Sequence, residues 1–143
     1  MFGASVTAME NQIIPPNPPA ADVLVVDDNA LVAKALATVL RGAGYGAVAC
    51  HSGAEALAYT DNSTPSAAVI DIHLPDINGL ILASKLRERF GPQIPIIVVS
   101  GDTSMETIKS LSHVGATHFF SKPLSSVLLI QRLRELLPTA QSN

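Results

Sequence analysis

The sequence predicts an alternating α/β fold with one parallel sheet of five strands. Short apolar runs rich in β-branched residues recur along the chain, and segments of helical periodicity separate them. Strands joined by helical crossovers pair in parallel and are covered by helices on both faces. The 143 residues, 48% of them apolar and 15% charged, suffice for one domain with a real core and exclude a disordered chain.

The first strand and the first helix have clear signals. Residues 23–26 read VLVV, an apolar run typical of a strand that is buried on both faces. Asn29 can cap a helix that runs to about Arg41 with apolar residues along one face. Gly42 and Gly44 then end that helix.

A weaker strand and a short helix follow. The strand is predicted at 47–50, and the helix runs from Ser52 to about Tyr59. Glu55, three residues after Ser52, completes the pattern of a capping box. The third strand is predicted at 67–70, in another short apolar run.

The second half of the chain continues the same alternation. Pro75 breaks the chain after the third strand, and Pro95 is tolerable because it stands at the beginning of a strand. The remaining elements are predicted as a helix at 78–89, a strand at 94–99, a helix at 104–113, a strand at 117–120 and a helix at 125–137. The natural architecture is a doubly wound, flavodoxin-like sheet with strand order 2-1-3-4-5, in which ligands bind outside the carboxyl ends of the strands.

We predict that the domain spans residues 21–138. The proline-rich stretch PPNPPA cannot form a helix, so residues 1–20 are interpreted as a flexible leader and residues 139–143 as a short tail. No DNA-binding or enzymatic output domain fits in the remaining residues, and if the chain is complete we expect it to act alone through protein contacts.

Composition narrows the classes of partner and the location. The net charge of −3 lacks the basic footprint of a nucleic-acid binder, and no apolar run approaches the roughly 20 residues that cross a bilayer. Cys50 is the single cysteine, so no intrachain disulfide can form. We therefore expect a cytoplasmic protein that binds neither nucleic acid nor membrane.

Polar residues at the ends of four predicted strands point to chemistry. Asp27 and Asp28 follow the first strand, Asp71 the third, Ser100 the fourth and Lys122 the last. Because parallel strands end at the same edge, these side chains should converge. Carboxylates held together need a cation, and oxygen ligands without a His or Cys cluster suit Mg²⁺, with Mn²⁺ as the alternative.

A divalent cation, a lysine and a hydroxyl group are the parts that cradle a phosphoryl group. One carboxylate can then act as a nucleophile and form an acyl phosphate. Asp71 is the best candidate because it stands alone at the end of a central strand, whereas Asp27 and Asp28 are the better metal-holding pair.

The chain resembles the receiver domains of two-component response regulators, in particular single-domain receivers of the chemotaxis-regulator type. The matching segments are VLVVDDN, AAVIDIHLPDINGL, PIIVVSGD and FFSKPL, and the resemblance runs from about Asp22 to Leu137. Pro75 and Gly79 follow Asp71 by four and eight residues, as they usually do in receivers.

The resemblance implies a role for each residue of the site. Asp71 would be the phosphoacceptor. Asp28, Asp71 and the backbone carbonyl of His73 would bind Mg²⁺ directly, and Asp27 would act through a metal-bound water. The side chains of His73 and Asp102 would tune the lifetime of the phosphoryl group.

The resemblance also implies a switch. Ser100 and Lys122 would contact the phosphoryl group, and the bond from Lys122 to Pro123 would be cis. Ser100 would move toward the phosphoryl group, and Phe119 would turn inward to fill the space that it leaves. Receivers often have Tyr at this position, so the coupling here would depend on packing without a hydroxyl group.

The partners implied by the resemblance are a histidine kinase or histidine phosphotransfer protein as donor and a downstream protein target. Output would be read on the surface of helix 4 (104–113), strand 5 (117–120) and helix 5 (125–137). A broad apolar stripe on helix 5, which includes Val127, Leu128, Leu129 and Leu133, leaves open whether this surface also forms a homodimer.

Two other classes of function compete with the receiver interpretation. A phosphohydrolase like the haloacid dehalogenases would have a second Asp where His73 stands, and no segment forms a substrate cap. We therefore expect no enzyme activity beyond self-phosphorylation and autodephosphorylation. A pseudo-receiver that is never phosphorylated would not need the full set of Asp27, Asp28, Asp71, Ser100 and Lys122.

Overall fold

Strands and helices alternate throughout residues 22–137, the part of the chain that the computed structural model describes. The strands are β1 Asp22–Val26, β2 Gly46–Cys50, β3 Ala67–Asp71, β4 Ile96–Ser100 and β5 His118–Ser121. The helices are α1 Ala30–Gly42, α2 Gly53–Thr60, α3 Gly79–Phe90, α4 Met105–His113 and α5 Ser126–Leu136. The predicted leader and tail lie outside the described residues.

The five strands form one parallel sheet in the order β2-β1-β3-β4-β5. This order confirms the prediction of a doubly wound fold. In the register of the sheet, Asp71 pairs with Val99 and Ser100 pairs with Ser121. The polar residues at the ends of β3, β4 and β5 are thereby brought to one edge.

The sheet separates two apolar cores. Val23 and Val25 point into the core under α1 and α5, and Leu24 and Val26 point into the opposite core, under α2 and α3. All four side chains are almost completely buried. Helices on both faces therefore explain why the first strand has no alternation of polar and apolar residues.

Each helix begins at a polar side chain that accepts a hydrogen bond from a first-turn amide, which stabilises the helix terminus. These residues are Asn29, Ser52, Asn78, Ser104 and Ser125. The Glu55 carboxylate accepts from the N–H of His51 at 2.7 Å, one residue before the N-cap.

Two features near the strands and helices refine the sequence prediction. Strand β4 begins at Ile96, two residues later than predicted, after Pro95, which has no N–H for the ladder. Helix α4 has no fully buried residue.

Within residues 22–137, every helix is too short or too polar to cross a membrane.

Candidate functional site

Three carboxylates meet where β1 and β3 end. Asp27 and Asp28 follow β1, and Asp71 is the last residue of β3. One oxygen from each of them lies within 4.8 Å of the others. Asp27 and Asp71 are buried, and Asp28 is exposed. The structure thus brings together the acids that the sequence predicted to converge, with one of them open to solvent.

Asp27 is held in place by the turn that starts helix α1. Its Oδ1 accepts from the backbone N–H of Asn29 at 2.9 Å, and its own N–H donates to the Cys50 carbonyl at 3.0 Å. Burial raises the pKa of Asp27, and the charges of Asp71 and Asp28 raise it further. The hydrogen bond from the Asn29 N–H and the charge of Lys122 lower the pKa but offset this increase only in part. Ionisation of Asp27 therefore costs more free energy in the folded protein than in water.

Asp71 has a partner on each carboxylate oxygen. Its Oδ1 accepts from the backbone N–H of His73 at 3.1 Å, and its Oδ2 accepts from Nζ of Lys122 at 2.8 Å. Nζ of Lys122 also lies 3.6 Å from Oδ2 of Asp27. Partial burial lowers the pKa of Lys122, but the hydrogen bond and charge of Asp71 together with the charge of Asp27 outweigh it, so the pKa is raised.

The backbone after β5 positions the lysine. The N–H of Lys122 donates to the Ser100 carbonyl at 2.9 Å, which continues the pairing of β4 with β5. The Lys122–Pro123 peptide bond is cis.

Ser100 is completely buried at the end of β4. Its Oγ accepts from the N–H of Asp102 at 2.9 Å. The Asp102 carboxylate in turn accepts from the N–H of Ser104 at 2.9 Å and from the hydroxyl of Thr107 at 2.9 Å. Hydrogen bonds thus connect the Ser100 hydroxyl to the first turn of α4.

The predicted lifetime-tuning side chains, His73 and Asp102, are both exposed. The N–H of Ser104 lowers the pKa of Asp102, with smaller contributions from Thr107 and from the charge of nearby His73. The loops that carry these residues follow β3 and β4, which are neighbours in the sheet.

Phe119 lies on β5 opposite Val98 and is half-buried. It packs against the core under α2 and α3, whereas Phe120 packs against the other core. The structure thus places the predicted switch aromatic beside a core rather than among the carboxylate contacts.

Gly79 allows helix α3 to begin directly behind the phosphoacceptor candidate. A Cβ at this position would overlap the backbone carbonyl oxygen of Asp71 and would lie 2.7 Å from Cα of Ile72. The N–H of Gly79 donates to the Ile72 carbonyl at 2.7 Å. The sequence alone showed only the spacing of this glycine, and the structure supplies the steric reason for it.

The arrangement fits a hard divalent cation. Its donors are oxygens of three carboxylates, of which two are buried. One lysine neutralises only part of the negative charge of these carboxylates. A doubly wound sheet with this acidic edge defines a class of small α/β domains built to hold a cation beside a reactive carboxylate.

Comparisons with known proteins specify that class. A family model described as response regulator receiver domain matches residues 23–134. The chain is 34% identical over 116 residues to the response regulator MprA of Mycobacterium avium, which covers 80% of this chain and 50% of that protein. It is 33% identical over 141 residues to the alkaline phosphatase synthesis transcriptional regulatory protein SphR of Synechococcus elongatus, covering 91% and 54%.

Solved structures agree. The chemotaxis response regulator CheY4 of Vibrio cholerae matches with a TM-score of 0.75 and 28% identity, over 82% of this chain and 99% of that one. The chain belongs to the response regulator receiver domain family of two-component systems. Receivers of this family bind Mg²⁺ at an acidic cluster and interact with histidine kinases or phosphotransfer proteins. The chain spans about half the length of the curated relatives.

Proposed function

We propose that this receiver accepts a phosphoryl group on Asp71 from a phosphohistidine donor. The observation that carries the proposal is the pair of contacts on Asp71: a buried carboxylate at a strand end, with Lys122 Nζ 2.8 Å from one oxygen and acidic neighbours within 4.8 Å. Asp28, Asp71 and the His73 carbonyl would hold Mg²⁺ directly and Asp27 through a water, with Mn²⁺ as the alternative.

The chain's own residues account for each requirement of the transfer. A carboxylate oxygen of Asp71 attacks phosphorus, the bond from phosphorus to the donor's imidazole nitrogen breaks, and the nitrogen keeps the electron pair. With Mg²⁺ held by Asp28, Asp71 and the His73 carbonyl, the site would supply positive charge to offset that of the phosphoryl group. Lys122 turns from the Asp71 carboxylate to a phosphoryl oxygen, and the Ser100 hydroxyl donates to another.

We infer that the donor reaches Asp71 through a cleft. A cleft of about 660 Å³ lies between helix α1 and the segment after β5, and Asp71 and Lys122 form part of its wall. The rest of its lining is largely apolar and includes Val32, Leu36 and Leu124. We assign this cleft to the surface of the donor protein that carries the phosphohistidine, because a donor must reach Asp71 and apolar walls suit a protein surface better than a free phosphate.

Output would be read on α4, β5 and α5. The hydrogen bonds from Ser100 through Asp102 to Thr107 give a direct path from the site to α4, and Phe119 on β5 would repack when Ser100 moves. Met105 and Ile108 on α4 and Leu128 on α5 are exposed apolar side chains. We assign this face to a downstream protein target.

A homodimer through the same face is the competing use. Sedimentation with and without beryllofluoride as a phosphoryl mimic would decide between them. A monomer in both states supports the protein target, and dimerisation only with beryllofluoride supports the homodimer.

Phosphorylation would be stoichiometric rather than catalytic. The position two residues after Asp71 holds an exposed His73 in place of the acid that a haloacid-dehalogenase-like hydrolase would use.

Phosphotransfer from a panel of histidine kinases to the wild type and to Asp71→Asn tests the proposal. One phosphoryl group on the wild type and none on the variant supports it, while turnover of many equivalents of a phosphate ester would show an enzyme instead. A wild type that no donor labels would favour a pseudo-receiver.

A further inference from the structure

We propose that Asp76 is a positioning residue for the cation site, because it ties the β3–α3 loop, residues 72–78, to the N-terminus of helix α2. The inference rests on the proposed function, since this loop follows Asp71 and contains the backbone of His73. Nothing in the spacing of the sequence pointed to this residue.

The contact joins two segments that are distant along the chain. Oδ1 of Asp76 accepts from the N–H of Gly53 at 2.9 Å, and Oδ2 accepts from the N–H of Ala54 at 2.8 Å. The first amides of a helix have no partner within the helix. Asp76 thus satisfies two of them, and Ser52 Oγ satisfies the N–H of Glu55 at 3.1 Å. The hydrogen bonds, that of Gly53 first, lower the pKa of Asp76, so it is ionised at neutral pH.

The loop and the helix also fit closely together. Gly53 is buried, and a Cβ at this position would lie 2.5 Å from Cγ1 of Ile77, the residue after Asp76. The Ile77 side chain therefore packs against the start of α2, next to the hydrogen bonds of the Asp76 carboxylate.

The other end of the loop is fixed to β3. His73 and Asn78 form an isolated antiparallel bridge, and the N–H of His73 donates to Oδ1 of Asp71. The loop is therefore anchored at its base through His73 and at its tip through Asp76. Without the tip anchor, only the contacts at the base orient the backbone of His73, whose carbonyl is the proposed cation ligand. Ligands that are less well oriented bind metal more weakly.

The test compares Asp76→Ala with Ser52→Ala. Both variants remove hydrogen-bond acceptors from the first turn of the same helix, but only Asp76→Ala releases the loop. The Mg²⁺ dissociation constant of each, measured by NMR titration of backbone amides, should rise about tenfold for Asp76→Ala and stay at the wild-type value for Ser52→Ala. Urea unfolding of both variants shows how far each has lost stability.

Asp76→Asn keeps one side-chain oxygen for the Gly53 amide and should bind Mg²⁺ with intermediate affinity. If Asp76→Ala does not fold, Asp76→Asn must still bind Mg²⁺ more weakly than Ser52→Ala does. Equal dissociation constants for the Asp76 and Ser52 variants would overturn the tether while leaving the proposed function intact. A wild type that does not bind Mg²⁺ would overturn both.

Discussion

Nζ of Lys122 lies 2.8 Å from Oδ2 of Asp71, although 51 positions separate the two residues and β4 lies between their strands. The same ammonium lies 3.6 Å from Asp27. The Lys122 ammonium thus links carboxylates at the ends of two neighbouring strands, β1 and β3. Lys122 therefore offsets only part of the negative charge of the three carboxylates.

We expect Asp27→Asn to stabilise the metal-free protein at neutral pH. Burial raises the pKa of Asp27, so its protonated form favours folding. This contribution is present below the unfolded pKa and is lost as the pH rises through the folded pKa. An amide can keep the acceptor for Asn29 without the charge, and urea titration should show a free energy of unfolding about 1 kcal/mol higher than that of the wild type.

Three comparisons test whether the charge of Asp27 causes this difference in stability. The difference should disappear below the ordinary pKa of 3.8, where the wild-type carboxyl is protonated as well. Asp28→Asn, at an exposed position of the cluster, should change stability less. Adding Mg²⁺ should stabilise the wild type more than Asp27→Asn. A less stable Asp27→Asn protein at neutral pH without metal would show that burial of this charge does not oppose folding.

Gly79→Ala should destabilise the protein by about 3 kcal/mol, because the new methyl group must displace the backbone of Asp71 and Ile72. The displaced Asp71 should also weaken Mg²⁺ binding. Thermal unfolding and Mg²⁺ titration measure the two effects.

Gly42→Ala is the matched control. Gly42 ends helix α1, and a Cβ there would have no atom within 4 Å. This variant should be unchanged or up to about 1 kcal/mol more stable. If Gly79→Ala keeps wild-type stability and Mg²⁺ affinity, α3 can move away from Asp71 at no cost in free energy.

His73→Ala and Asp102→Ala should each shorten the life of the phosphorylated protein, since both side chains are exposed beside the site and their loss opens a path for water. Autodephosphorylation after removal of the donor should be several-fold faster in each variant. An unchanged rate in both would refute a role for these side chains.

Asp102 also ties its loop to α4, so Thr107→Val is the control for that second effect. This variant removes one partner of the Asp102 carboxylate and leaves the Asp102 side chain in place. Its autodephosphorylation rate should match the wild type. If Thr107→Val dephosphorylates as fast as Asp102→Ala, loop order rather than water access controls the lifetime.

The sequence predicts the fold well because its signals are local. The apolar runs and the five capping residues lie within a few positions of the elements that they define. The convergence of Asp27 and Asp71 follows from topology, since parallel strands end at one edge. The residue types predict a cation beside a nucleophilic carboxylate, and the resemblance to receivers implies the finer roles.

The features that the sequence did not predict depend on packing between distant segments. The partner of Asp76 lies 23 positions away at Gly53, and no period or motif links them. The apolar stripe on α5 was ambiguous for the same reason. Leu129 and Leu133 are fully buried, whereas Val127 and Leu128 are 65% and 56% exposed, a division that only the position of the helix on the sheet decides.

The most direct test of the account is Mg²⁺-dependent phosphorylation of Asp71. Intact-mass measurement after incubation with a small phosphoramidate donor should show one added phosphoryl group on the wild type with Mg²⁺ and none after chelation. Asp71→Asn should remain unmodified while binding the cation more weakly. Equal modification of the wild type and Asp71→Asn, or modification of the wild type that is indifferent to chelation, would contradict the assignment of Asp71 as a metal-assisted phosphoacceptor.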